Sequence, residues 1–180
     1  KKVVHVDTFG VQCGVATYLE SIMDRLVPMD EAVEQVVFAE EIPEGDERAS
    51  EGKEYSGNQP TLVRNWVRKR PMPGLFSDLS EFDPDVLHIQ HEWSFWPARD
   101  TKLIQFLNLS KSRGTVNVVT WHTVYGKGEF NQLVLDRFFD AINPVVDAHI
   151  VHDVNSLRNL LAFNIPSDKV HHIPMSAYSV

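Results

Sequence analysis

The chain has 180 residues, of which 43% are hydrophobic and 23% are charged. These proportions are typical of one folded domain that buries a core without a disulfide or structural metal. The formal net charge of −8 argues against a nucleic-acid partner, since binding phosphate needs clustered Lys and Arg. The single cysteine, Cys13, excludes an intrachain disulfide and favours a cytoplasmic location.

Short apolar runs alternate with longer amphipathic stretches along the chain, which is typical of βαβ units. We predict strands over residues 3–6, 32–38, 60–63, 85–89, 116–121, 148–151 and 170–173, and helices over residues 15–26, 101–112, 130–142 and 155–161. The fold class is therefore α/β, a Rossmann-like domain with a mostly parallel sheet and helices on both faces. The strands that begin near residues 3, 85 and 116 are expected to be neighbours.

Two polar segments interrupt this pattern. Residues 40–58 are rich in Glu, Gly and Ser and predict a mobile surface loop. A basic run, ahead of a segment with prolines and a glycine, consists of Arg64, Arg68, Lys69 and Arg70. We interpret it as a solvated helix face. The alternative is peripheral contact with anionic lipid at the inner face of the membrane, because clustered cations gain free energy there.

The segments that directly follow strands carry the functional expectation, because ligands of open α/β sheets bind beyond the carboxyl ends of the strands. The first such segment is the loop 7–14, which ends in Gly14 at the start of a helix. A helix N-terminus can hold an anionic group. A plain strand-to-helix turn explains this loop equally simply, and taken alone the loop favours that explanation.

The second segment runs from His88 to Trp96 and includes His91, Glu92 and Trp93. Tryptophan at an exposed position suits stacking on a sugar ring, with core packing as the competing role. The third is Thr120-Trp121-His122-Thr123, after an apolar strand. His122 is expected at the crevice mouth, bonding a substrate hydroxyl or transferring a proton, unless it is a satisfied core histidine. Zinc on His91, Glu92 and His122 is a weaker alternative, because no paired ligand spacing supports it.

These three segments resemble the N-terminal domain of retaining glycosyltransferases of family 4, which have the GT-B fold. The motifs are Gly14-Val15-Ala16-Thr17-Tyr18-Leu19, Asp85-Val86-Leu87-His88-Ile89-Gln90-His91-Glu92 and Val118-Val119-Thr120-Trp121-His122-Thr123, and the tail Lys169-Val170-His171-His172-Ile173-Pro174 is similar to the family's crossing between domains. The chain departs from the family where Cys13-Gly14 replaces two adjacent glycines and where Pro174 is followed by Met175-Ser176.

The resemblance implies a nucleotide-diphosphate sugar as donor, with a carbohydrate, lipid or small molecule as acceptor. It implies that Gly14 lies near the donor diphosphate and that His122 is catalytic and contacts the donor sugar. His91, Glu92 and Trp93 match the acceptor-side loop. No cofactor is implied, and dependence on a divalent metal is left open.

The resemblance also implies that residues 1–174 form the acceptor-side domain and that residues 175–180 begin a linker to a C-terminal donor-binding domain absent from this sequence. The isolated domain is then expected to be inactive. One alternative is a stand-alone Rossmann-like module that binds a nucleotide or sugar without catalysis. Another is a nicotinamide-dependent oxidoreductase with Glu40 or Glu41 on the ribose, against which the missing GxGxxG counts.

Overall fold

The computed structural model describes residues 1–26, 32–46, 59–68, 70, 72–96 and 101–175. Within them the strands are β1 (Lys2–Asp7), β2 (Glu34–Glu40), β3 (Thr61–Trp66), β4 (Val86–His91), β5 (Val116–Trp121), β6 (Ala148–Val151) and β7 (Val170–His172). The helices are α1 (Gly14–Leu26), α2 (Pro73–Phe82), α3 (Lys102–Ser112), α4 (Gln132–Ile142) and α5 (Val154–Ala162), and a single 3₁₀ turn (Ser167–Lys169) precedes β7. None of the helices described is long and apolar enough to cross a membrane.

All seven strands pair in parallel, in the order β3-β2-β1-β4-β5-β6-β7. The predicted fold class is confirmed, and β1, β4 and β5 are neighbours as expected. The strand order reverses between β1 and β4, because the chain first builds outward from β1 to β3 and then returns to the other side of β1. Such a reversal leaves a crevice beyond the carboxyl ends of the two central strands.

The core lies mainly between one face of the sheet and helices α2, α3 and α4. Val4, Val6, Leu87 and Ile89 are fully buried there, at alternating positions of β1 and β4. A smaller cluster lies under α1 on the opposite face, formed by Phe9, Leu19, Met23, Val37 and Ala39. Because strands buried on both faces have apolar residues at successive positions, they could be recognised as short continuous apolar runs.

Helix α2 was not predicted, because its first residues, Pro73 and Gly74, were taken as a break. Pro73 is instead the first residue of the helix, where proline's missing N–H costs no hydrogen bond. The helix-face interpretation of the basic run is wrong, because Arg64 lies on β3 and Arg68 and Arg70 lie between β3 and α2. Lys69 and most of the predicted loop 40–58 lie outside the described residues.

Replacing Gly74 with alanine is expected to destabilise the domain by about 1–3 kcal/mol, because the new methyl group cannot be accommodated. An added Cβ would clash with the backbone carbonyl oxygen of Asn65. Gly14→Ala is the control, since Gly14 also starts a helix and its Cβ would meet nothing within 4 Å. Urea unfolding measures both variants, and equal stabilities would contradict the steric argument.

Candidate active site

The crevice lies where β1, β4, β5 and β6 end, and the three predicted positions Gly14, His91 and His122 all lie at this edge of the sheet. The backbone N–H of His122 donates to the carbonyl of His91 at 3.1 Å, which joins the exits of β4 and β5. The exits therefore form one continuous rim.

The loop between β1 and α1 brings backbone close to the crevice. Gly10 has φ of +74°, a conformation that favours glycine. Cys13 accepts at its carbonyl from the N–H of Thr17, at 3.0 Å. The space in front of the Gly14 Cα is open, so a ligand can approach the first turn of α1. The first N–H groups of a helix lack intrahelical partners and suit an anionic group.

Asp7 ends β1 beneath this loop and is 1% exposed. Its Oδ1 accepts from the backbone N–H of Thr8 at 2.6 Å, while Oδ2 has no hydrogen-bond partner among the described residues. Burial raises the pKa of the Asp7 carboxyl to about 7, against the smaller lowering effect of the Thr8 hydrogen bonds. A carboxyl that titrates near neutral pH can give or take a proton.

Three rings meet at the crevice around His122. The rings of Tyr18 and His122 are 5.4 Å apart between centroids, and those of His122 and His152 are 5.5 Å apart. Nε2 of His122 lies 2.8 Å from Oε1 of Gln90. Nδ1 of His152 donates to the carbonyl of Ile173 at 2.8 Å, and its Nε2 has no partner within the described chain. His122 is half-buried, which places it at the crevice and not in the core.

The imidazole of His122 is neutral near pH 7. Burial, with a smaller contribution from the neighbouring His152, lowers its pKa to about 4. A neutral imidazole has one N–H donor and one lone pair, so His122 can bond a hydroxyl group while Gln90 holds its other nitrogen.

The structure places His91 differently from the expectation. His91 belongs to β4 and is fully buried, with the rings of Trp93 and Trp121 at 4.7 and 4.4 Å. Burial lowers its pKa to about 3. Neither ring nitrogen of His91 has a hydrogen-bond partner of normal geometry among the described residues. The nearby backbone of Trp96 raises the pKa of His91, but by less than burial lowers it. His91 is a core residue and does not face an acceptor in this conformation.

The two tryptophans of this segment are also packed inward. Trp96 is 3% exposed and lies 6.1 Å from Trp66 between ring centroids. Trp93 is half-buried and stacks on Tyr125, with its Nε1 donating to the Thr123 carbonyl. The predicted exposure of Trp96 is wrong, and Trp93 presents only part of its ring.

Glu92 ties the rims of β4 and β5 together. Its Oε2 accepts from the Thr123 hydroxyl at 3.1 Å, and Oε1 accepts from the backbone N–H of Trp93 at 2.8 Å. The carboxylate is half-buried, so it remains accessible to a ligand. The acceptor-binding role of Glu92 and Trp93 stays a prediction.

Glu40, one of the two residues that an oxidoreductase could use on a ribose, is already engaged. It is 3% exposed and its Oε2 lies 2.8 Å from Nε of Arg68. Arg64 donates to the carbonyls of Phe9 and Glu40. Two cations of the basic run are thus committed within the domain. No group of three His, Cys, Asp or Glu side chains in the described ranges could hold a metal ion.

His152, Tyr18 and Asp7 were missed as site residues. His152 directly follows β6, so the rule that identified His122 after β5 applies to it too. Tyr18 lies one turn into α1, and no local pattern shows that this face meets the strand ends.

Acidification is expected to destabilise the fold below about pH 6, because buried histidines are neutral in the folded state. Burial lowers the pKa of His5 and His122 to about 4 and of His91 and His149 to about 3, from 6.5. Between about pH 4 and 6.5 the unfolded chain binds more protons. The stability that these neutral histidines contribute is therefore fully present above pH 6.5 and is lost as the pH falls. The raised pKa of Asp7 has the opposite effect on stability, but Asp7 is a single group against four histidines.

Urea midpoints measured from pH 8 to 5 test this expectation. Replacing the exposed His172 with asparagine is the control and should leave the pH profile unchanged. A wild-type midpoint that stays constant or rises toward pH 5 would contradict the assignment of neutral buried histidines.

The model of Glycosyltransferase Family 4 matches residues 13–176. No curated protein sequence matches the chain. Among solved structures the chain is similar to HepE from Anabaena in complex with UDP, with 14% identity and a TM-score of 0.58 over 97% of this chain and 44% of HepE.

Two further solved structures have the same fold. The apo lipopolysaccharide outer core galactosyltransferase WaaB has 11% identity and a TM-score of 0.54, covering 100% of this chain and 48% of WaaB. The UDP-GlcNAc 2-epimerase from Neisseria meningitidis, bound to UDP-GlcNAc, has 13% identity and a TM-score of 0.52, covering 96% and 45%. The chain spans less than half the length of each, and likeness at this identity concerns the fold.

Proposed function

The chain belongs to Glycosyltransferase Family 4, and we propose that it is the acceptor-side domain of an enzyme that transfers a sugar, with retention, from a nucleotide diphosphate to an acceptor. The observation that carries this proposal is the juxtaposition of the open α1 N-terminus with the ring cluster of Tyr18, His122 and His152 in one crevice. An anion site next to hydroxyl-binding imidazoles matches a sugar attached to a diphosphate.

The chemistry of glycosyl transfer requires stabilisation at two places. The transition state has oxocarbenium character on the sugar, and negative charge develops on the leaving diphosphate. The N–H groups at the first turn of α1, where Gly14 leaves the approach open, stabilise that charge. His122 orients the donor sugar through a hydroxyl, and Glu92 and Trp93 lie at the acceptor side.

A second domain supplies the remaining contacts in this proposal. Leu26, Ile173 and Met175 are exposed apolar side chains beside Tyr18. They line a groove of about 300 Å³ between α1 and the segment after β7. We place the donor-binding domain across this side of the crevice, so that the nucleotide is held mainly by residues outside this chain. The cytoplasmic location and the lipid contact stay predictions.

The isolated chain is expected to bind no nucleotide sugar tightly, whereas the full-length protein binds one in the micromolar range. Calorimetric titration of both with UDP-glucose, UDP-GlcNAc, UDP-galactose and the corresponding GDP sugars measures this difference. Circular dichroism first establishes that the isolated chain is folded. Micromolar binding by the folded isolated chain would overturn the proposal that a second domain holds the nucleotide, and it would favour a stand-alone binding module.

Product analysis with the full-length protein distinguishes transfer from the chemistry of the epimerase neighbours. Release of the nucleotide diphosphate only when an acceptor is added supports transfer, and the anomeric configuration of the product, read by NMR, tests retention. Conversion of UDP-GlcNAc into its 2-epimer without an acceptor would contradict the proposal.

A further inference from the structure

Four buried side chains on β2, β1 and β4, together with the half-buried His122, form a hydrogen-bonded chain that ends at the crevice. It runs from Gln35 on β2 through His5 on β1 and His88 and Gln90 on β4 to His122 after β5. The first four are at most 9% exposed. His5 and His88 are paired in register, and Gln90 lies two residues further along β4, so all three share one face of the sheet.

The distances along this chain are those of hydrogen bonds. Nε2 of His5 lies 2.8 Å from Oε1 of Gln35, and the Nδ1 atoms of His5 and His88 are 3.0 Å apart. Nε2 of His88 lies 3.3 Å from Nε2 of Gln90, and Oε1 of Gln90 lies 2.8 Å from Nε2 of His122. The Thr120 hydroxyl forms a side branch at 2.8 Å, in which it donates to the same lone pair of His88 Nε2 that faces the Gln90 amide.

All hydrogen bonds along this series of side chains must donate in the same direction, because each neutral imidazole has one donor and one acceptor. The Gln35 oxygen requires an N–H on Nε2 of His5, so Nδ1 of His5 accepts from Nδ1–H of His88. Nε2 of His88 then accepts from the Gln90 amide. The Gln90 oxygen in turn accepts from Nε2–H of His122. Both glutamine amides are oriented for this same direction.

Burial keeps these imidazoles neutral. It lowers the pKa of His5 to about 4, against the smaller raising effect of the Gln35 hydrogen bond, and it lowers the pKa of His88 well below its usual value, where His5 and His122 lower it further. The titratable groups that face His122 are His152 after β6, Tyr18 on α1 and His88 and His91 on β4.

We propose that Gln90, backed by His88, His5 and Gln35, positions His122 as a hydrogen-bond acceptor toward the crevice. With Nε2–H held by Gln90, the lone pair of Nδ1 points away from Gln90, and no described residue bonds it. Nδ1 of the neighbouring His152 donates to the Ile173 carbonyl and its Nε2 is buried, so His122 is the imidazole that faces the ligand.

The ligand group at this place must therefore be a donor. An imidazole acceptor at this place suits a hydroxyl group of a sugar and disfavours phosphate or carboxylate oxygens, which only accept. The assignment of a sugar as ligand rests on the proposed function, whereas the direction of donation along the hydrogen-bonded side chains does not. Gln90 is a positioning residue, because it acts through His122.

The test is the tautomer of each ring, read from ¹⁵N chemical shifts of histidine-labelled full-length protein at pH 7.5 without any donor. The expected pattern is Nε2–H on His5, Nδ1–H on His88 and Nε2–H on His122. The reverse pattern at all three rings, or an imidazolium at His122, would overturn the proposal. Because no sugar transfer is measured, this outcome is independent of the proposed function.

Two variants test the role of Gln90. Gln90→Leu is expected to release His122 into a mixture of tautomers, while Thr120→Val, which removes only the side branch, leaves the His122 signal unchanged. Should Gln90→Leu fail to fold, Gln90→Glu serves, since a protonated carboxyl has the donor and acceptor of the amide. That variant should keep the wild-type pattern at about pH 6. At about pH 9 the ionised carboxylate can only accept, so His88 should change to Nε2–H while His122 keeps Nε2–H. An unchanged His122 tautomer in Gln90→Leu, or an unchanged His88 tautomer at both pH values in Gln90→Glu, refutes the positioning role.

Discussion

Replacing His122 with alanine in the full-length protein is expected to lower kcat at least about tenfold, which corresponds to about 1.4 kcal/mol of transition-state stabilisation. The ring lies half-buried at the crevice between Tyr18 and His152, and Gln90 fixes its orientation. The variant loses one partly buried hydrogen bond, so its free energy of unfolding should fall by only about 1 kcal/mol.

His172→Ala is the matched control for this experiment. His172 is an exposed histidine on β7, and its removal should change neither kcat nor stability by much. Initial rates and thermal unfolding are measured on the same preparations. Normal kcat in a destabilised His122→Ala variant would show a structural histidine and remove it from the site.

Asn117→Ala is expected to lower the free energy of unfolding by about 2–4 kcal/mol, because it leaves buried polar groups without partners. Asn117 is fully buried on β5. Its Nδ2 donates to the carbonyls of Leu107 and Val145 at 2.9 and 2.8 Å, and Oδ1 accepts from the Ser110 hydroxyl at 2.7 Å. One side chain thus joins β5 to α3 and to the turn after α4.

Asn108→Ala supplies the comparison for Asn117. Asn108 lies on the exposed face of α3 and donates only to the Ile104 carbonyl one turn away, at 2.8 Å. Its loss should cost less than about 0.5 kcal/mol. Denaturant unfolding of both variants decides the matter, and a similar small effect at both positions would show that the Asn117 network contributes little.

The strands were predictable because their signal is local. Residues 116–121 and 148–151 form strands with the predicted bounds, since each is a short apolar run followed by polar residues. Helix α2 was missed because Pro73 and Gly74 stop most helices, and only the position of the proline at the first turn makes it compatible with one.

The side on which a site residue points was less predictable. The sequence suggested that the strand ends at residue 89 and that His91 lies in the following loop. Strand β4 continues to His91, and since Leu87 and Ile89 face the core, a period of two residues directs His91 there as well. Where a strand ends depends on pairing with its neighbours, here β5, and not on its own residues.

The order of the strands and of every helix except α2, the parallel sheet and the placement of Gly14 and His122 after strands were determined by the sequence alone, because hydrophobic periodicity and strand exits are properties of neighbouring residues. Only the tertiary structure decided which of these residues meet. Three hydrogen bonds of the network that ends at His122 join residues far apart in the sequence. Gln35 and His5 are 30 residues apart, His5 and His88 are 83 apart, and Gln90 and His122 are 32 apart. Such contacts depend on strand register and sheet order, which require the whole chain to be packed at once.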